Sequence, residues 1–149
     1  MNPFDVKDAL LAKHAQHVVL IHFPIALFMV SVAFDFAAQL TKRRTLAVAA
    51  YYNLAVAAVS TLPVVATGLL AWQFQLEGQK LKGILLLHLV LGIASSAMIC
   101  LIWYWHFQSR RTPGQALPSY RLPIEALAVA VITITAHLGG FLSGVNISG

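Results

Sequence analysis

The sequence predicts an all-α protein, an integral membrane four-helix bundle with up-down topology in one domain over residues 1–149. Hydrophobic residues make up 59% of the chain and charged residues only 10%, whereas soluble domains carry about 25% charged residues. The charged residues lie between four apolar runs, and the first run, from His17 to Phe36, holds one carboxylate and no Lys or Arg. Because a helix of about 20 residues covers the roughly 30 Å of a bilayer's hydrocarbon, each run predicts one span.

The four spans are expected at about residues 17–40, 46–74, 83–107 and 122–142. Pro63 lies near the middle of the second span and predicts a kink there. Trp103, Tyr104 and Trp105 close the third span and predict an aromatic belt at the membrane interface. Apolar residues at near-helical spacing over residues 4–14 predict a short helix on the membrane surface.

The basic residues predict the orientation of the bundle. Six of them follow the first and third spans, against four on the opposite side. By the positive-inside rule the six face the cytoplasm, so both termini face the periplasm of a bacterial inner membrane. The run after the N-terminal segment is too long for a signal-peptide core, so the first span is expected to be retained. Basic clusters without a basic face argue against nucleic-acid binding.

Three of the six histidines are expected at one depth in the membrane. His22 and His88 each lie five residues inside their span, and His137 lies five residues before the end of the fourth. At the helical rise this is a depth of about 7 to 8 Å. His17 lies above them at the rim. Since intramembrane ionisable residues are costly and normally pair or bind something, these histidines predict a bound cofactor or metal ion.

The glycines near these histidines favour a broad, flat ligand. Gly92 lies one turn after His88, and Gly139 lies beside His137. Missing side chains there leave room for a porphyrin, and neutral imidazoles from facing helices are suitable axial ligands for haem iron. The single cysteine, Cys100, excludes a CxxCH attachment site. The sequence therefore predicts non-covalent haem b, with one haem per chain because four helices enclose one interior at a given depth.

In a square bundle the first and third spans are diagonal, so His22 and His88 are the expected iron ligands. His137 is the alternative ligand, and His17 is expected to contact the cofactor at the rim. Copper or zinc bound by three histidines stays open. His14 and His106 are expected to have peripheral or structural roles.

Two carboxylates are expected nearer the cytoplasm. Asp35 lies in the first span and Glu125 at the start of the fourth. Each has two interpretations: it pairs with a basic residue such as Arg121, or the two form a protonatable pair near a quinone site.

Four short motifs resemble those of one family. HVVLIHFPIALF, ATGLLAW, HLVLG and AHLGG are similar to the motifs of the DUF2231 family of small bacterial four-helix membrane proteins, over most of residues 17–142. The family's histidines fall on His17, His22, His88 and His137. The chain departs from the pattern at Val18, where proline is usual, at Ala136, where glycine is usual, and in its tail, FLSGVNISG. The resemblance implies a haem-associated membrane subunit with cytochrome-like partners.

The function expected from these observations is electron transfer by a b-type cytochrome subunit. It would pass electrons between a periplasmic partner and the membrane as part of a larger redox complex, and it would not act as an enzyme alone. The competing hypothesis is a non-redox subunit that anchors or assembles a complex through its helix faces.

Overall fold

A computed structural model describes residues 13–76, 78, 80–112 and 117–143. It confirms the all-α membrane bundle. The helices are α1 (Lys13–Leu20), α2 (His22–Thr41), α3 (Arg44–Gln75), α4 (Gly83–Arg111) and α5 (Arg121–Leu142). Four segments are long and apolar enough to cross a membrane: span 1 (Gln16–Thr41), span 2 (Arg44–Phe74), span 3 (Gly83–Arg111) and span 4 (Arg121–Leu142). The surface helix expected over residues 4–14 falls mostly outside the described residues.

Span 3 continues four residues beyond the expected end at Phe107 because its terminal arginines pack against aromatic rings. The guanidinium of Arg110 lies 4.2 Å from the ring centroid of Tyr51 in span 2, and that of Arg111 lies 5.1 Å from the ring of Phe107. Long basic side chains of this kind cover apolar surface with their stems while the charge stays near water.

The spans form a square in chain order. Span 1 packs against spans 2 and 4, and span 3 packs against the same two neighbours. Short links make successive spans antiparallel. Spans 1 and 3 are therefore diagonal, and a side chain from each can reach the same interior space.

Span 1 is broken at Ile21, between α1 and α2. Pro24 explains the break: it has no N–H for the carbonyl of Leu20, and its ring crowds that carbonyl. The chain regains helical bonding at once, because Ile25 N–H donates to the Ile21 carbonyl at 3.4 Å. The break is confined to one residue, because Ile21 keeps helical dihedral angles (φ −59°, ψ −27°) and its N–H still donates to the His17 carbonyl at 3.0 Å, so helical spacing holds across it.

An apolar core fills the middle of the bundle. Phe28, Leu54, Ile102 and Ala128 come from the four spans, and each exposes 1% of its surface or less. The core divides the interior into a His17 end, which also holds His88, and a His106 end. Large apolar residues cover the outside, including Leu62 at 71% exposure, as a lipid-facing surface requires.

Candidate functional site

A cavity of about 240 Å³ lies between the four spans at the His17 end. Its walls are mostly leucine, isoleucine and valine side chains. Two histidines line it, His17 from span 1 and His88 from span 3. These two spans are diagonal in the square, so the imidazoles enter the cavity from different helices.

The ring of His88 is held by span 4. Its Nδ1 lies 3.0 Å from the backbone carbonyl of Thr135 and donates to it, because a carbonyl can only accept. Gly139 lies one turn further along span 4, and a Cβ there would approach the Cε1 of His88 to 3.1 Å. A glycine at this position therefore lets the imidazole lie directly against the helix.

The ring of His17 is held by span 2 in the same manner, by one oxygen and one glycine. Its Nδ1 lies 3.2 Å from Thr67 Oγ1. That hydroxyl also lies 2.8 Å from the Pro63 carbonyl and 3.1 Å from the Val64 carbonyl. Either carbonyl can accept its proton, which leaves the oxygen able to accept from the ring. A Cβ on Gly68 would lie 3.0 Å from the Cε1 of His17.

The Thr135 carbonyl fixes the tautomer of His88: its Nδ1 carries the proton and its Nε2 carries the lone pair in the neutral ring. The Thr67 hydroxyl allows the same tautomer for His17. Histidine ligands of metals commonly have this arrangement, with the second nitrogen donating to an oxygen that sets the ring orientation and raises the basicity of the ligand.

His22 and His137 lie on the outside of the bundle, and neither lines the cavity. The expected geometry, with His22 facing His88, is therefore wrong. His22 is five residues from His17, which is about 140° around a helix, so only one of them can face inward. Its Nδ1 donates instead to the Val18 carbonyl at 2.7 Å, next to the break at Ile21.

The orientation of His137 follows from the same geometry. It lies two residues from Thr135 and two from Gly139, which both face His88, so it points to the opposite side of span 4. Its ring packs edge-on against Phe141, with centroids 4.9 Å apart. His137 is exposed and is not brought together with His88.

Gly92 and Gly139, the two glycines expected to leave room for a flat ligand, both line the cavity but differ in what lies beside them. The space beside Gly139 is filled by the His88 ring rather than left for a flat ligand. Gly92 lines the cavity, but a Cβ there would meet Thr135 Cγ2 at 3.9 Å, an ordinary contact. The close approaches of the histidines thus depend on Gly68 and Gly139, not on Gly92.

We expect Gly139→Ala to be less stable than Gly92→Ala by about 1–3 kcal/mol, because the added methyl group overpacks the ring of His88. Gly92→Ala is the matched control, since it adds the same group to a helix with normal contact distances. Thermal unfolding in detergent compares the two variants. Equal midpoints would contradict the assigned role of Gly139.

A second polar cluster lies at the His106 end. Arg121 Nε donates to Asp35 Oδ2 at 2.8 Å, so of the two interpretations of Asp35 the pairing with Arg121 is present. His106 Nε2 lies 3.3 Å from Glu125 Oε1. His106 is 4% exposed, so of its two expected roles, peripheral or structural, the peripheral one is wrong. It lies 18 residues after His88, about five helical turns, and therefore on the same inward face.

The chain matches one family model. The model of a family described as "Predicted membrane protein (DUF2231)" matches residues 13–146, which include the cavity and the second cluster. No curated protein and no solved structure matches the chain.

Proposed function

We propose, from the premise that this chain belongs to the DUF2231 family of predicted membrane proteins, that it binds one haem b without covalent attachment. His17 and His88 would hold the haem iron, and the protein would serve as an electron-transfer subunit of a membrane redox complex. The observation that carries the proposal is the pair of imidazoles that line one cavity from diagonal spans, each with its Nδ1 within hydrogen-bond distance of an oxygen. When bound, haem supplies reversible one-electron chemistry at its iron.

The donor set of the cavity favours haem over a bare metal ion. A porphyrin provides four nitrogens, so two imidazoles complete a six-coordinate iron. Zinc and copper sites generally need three or four protein ligands. Among the described residues lining the cavity, only His17 and His88 have side chains of the imidazole, thiolate or carboxylate type. The tautomer of His88 also disfavours a quinone as the ligand. A quinone carbonyl needs a hydrogen-bond donor, whereas Nε2 of the neutral His88 ring can only accept.

The cavity would have to enlarge to hold a haem. At about 240 Å³ it is smaller than the roughly 300–1,000 Å³ of typical ligand pockets. Its walls include flexible leucines such as Leu85 and Leu89, which would have to rotate outward to admit a macrocycle. The same apolar walls would exclude water from the metal and tune its potential.

The exposed histidines support the partner part of the proposal. His22 and His137 lie on neighbouring spans, 1 and 4, at the end of the bundle that the positive-inside rule directs to the periplasm. An imidazole facing lipid is unfavourable. We therefore assign these exposed imidazoles to contact with other subunits of the complex, where electrons would be exchanged on the periplasmic side of the bacterial inner membrane.

The absorption spectrum of the purified full-length protein tests the function. After expression with ample haem, we expect a sharp Soret band, a reducible α band and a pyridine assay of one haem per chain. A colourless preparation would overturn the proposal in favour of an anchoring subunit. Copper or zinc without iron in elemental analysis would favour a histidine metal site instead.

We expect Thr67→Val to raise the midpoint potential of the haem, while Thr135→Val leaves it unchanged. The first variant removes the acceptor of the His17 Nδ1 proton, which lowers the basicity of that ligand and stabilises reduced iron. The second keeps the acceptor of His88, because that acceptor is the main-chain carbonyl. Redox titration of both variants measures the difference, and equal shifts would count against the proposed ligands.

A further inference from the structure

Three ionisable side chains from three different spans meet at the His106 end. They are Asp35 from span 1, His106 from span 3 and Glu125 from span 4. One potential ligand atom from each lies within 4.8 Å of the others. Their residues expose only 3%, 4% and 1% of their surface. This cluster lies on the far side of the apolar core from the cavity and does not depend on haem binding.

Glu125 is the least satisfied member of the cluster. Its Oε1 lies 3.3 Å from His106 Nε2, longer than the roughly 2.7–2.9 Å of a charge-assisted hydrogen bond. Its Oε2 is buried and has no hydrogen-bond partner among the described residues. A buried carboxylate oxygen without a donor is costly, so the arrangement is incomplete as a set of hydrogen bonds alone.

We propose that Asp35, His106 and Glu125 form a binding site for one divalent transition-metal ion of the zinc class. One imidazole nitrogen and two carboxylate oxygens suit such an ion, and three protein ligands are the number found in zinc sites with an open fourth position. Ligand atoms around tetrahedral zinc are about 3.3 Å apart. His106 and Glu125 already have that separation, 3.3 Å, so Asp35 is the ligand that has to approach.

Arg121 orients the Asp35 carboxylate through one of its two oxygens and leaves the other oxygen available as a ligand. Its Nε holds Asp35 Oδ2 at 2.8 Å, and its Nη2 donates to Gln39 Oε1 at 2.7 Å. Hydrogen bonds of this type orient metal-binding carboxylates. If both carboxyl groups are ionised and His106 is neutral, the two carboxylates and one guanidinium carry a net negative charge, which a bound cation would compensate. The alternative is two buried ion pairs, Asp35 with Arg121 and Glu125 with protonated His106.

The test uses full-length protein in detergent, stripped with a chelator, loaded with Zn²⁺ alone and desalted. We expect about one zinc per chain by elemental analysis and a higher thermal midpoint than for the stripped protein. Glu125→Gln and His106→Gln, which preserve side-chain size closely, should lose both effects. His88→Ala is the matched control, because it removes a histidine of the same span at the other end and should retain the zinc.

Three outcomes would overturn the site, and one further outcome would support it. Wild-type protein that retains no zinc would show that the cluster is held by its own polar contacts alone, whereas zinc retained by both Glu125→Gln and His106→Gln would place the ion elsewhere in the protein. Should neither of those variants elute as a single species, the control decides: zinc lost in His88→Ala would place the ion in the cavity. Zinc present at about one per chain in both wild type and His88→Ala would support the cluster.

Discussion

Replacing His88 by alanine is expected to abolish haem retention, with less than about a tenth of the wild-type haem content after purification. His17→Ala should have the same effect. Each substitution removes one of the two imidazoles that line the cavity, and the cavity walls contain no other described side chain of a type that ligates iron. The measurement is haem per chain by pyridine assay on protein that elutes as a single species.

His22→Ala and His137→Ala are the matched controls for this result. Both side chains are exposed on the outside of the bundle and neither lines the cavity. We expect these variants to keep a six-coordinate low-spin spectrum. Loss of haem in His22→Ala with retention in His17→Ala would exclude the proposed ligand pair, while haem binding as such would stand.

Arg121→Met is expected to lower the free energy of unfolding by about 3–5 kcal/mol, because it leaves the Asp35 carboxylate buried without its partner. Asp35 exposes 3% of its surface and Arg121 8%, and the two side chains are joined at 2.8 Å. Unfolding of the chelator-treated protein in detergent, followed by heat or by titration with a denaturing detergent, measures the loss.

The double variant Asp35→Leu with Arg121→Met is the control for that measurement. Replacing a buried ion pair by apolar residues is often neutral or stabilising, so most of the lost stability should return. A double variant as unstable as Arg121→Met would show that the pair contributes through something other than the burial of an unpaired charge.

Much of the fold was predictable because membrane spans are set by hydrophobic length and charge. The positions of the site histidines were only half predictable. Counting residues gives the depth of His22 or His88 along a span, but not the direction in which the side chain points. Equal depth therefore predicted His22 as a ligand where the structure turns His17 inward.

The helical phase of span 1 did contain a signal that His17, and not His22, faces inward. Pro24, Phe28, Ser31, Asp35 and Ala38 form the buried stripe of span 1, at the spacing of three and four residues that marks one helix face. His17 precedes this stripe by seven residues, about two turns, and His22 lies off it. The tautomers and the unpartnered oxygen of Glu125 required atomic contacts, which no spacing rule provides.

The apolar core between the two ends of the bundle also determines what cannot pass through it. Along span 3, His88 and His106 are about 27 Å apart at the helical rise, with Ile99 and Ile102 buried between them at 3% and 0% exposure. This layer is a low-dielectric barrier, and the buried Ser31 and Thr61 hydroxyls near it bond to the Ala50 and Ala58 carbonyls rather than to one another. Among the described residues, the bundle thus places titratable side chains in each half of the membrane and separates them by a buried apolar layer that opposes the passage of protons and ions.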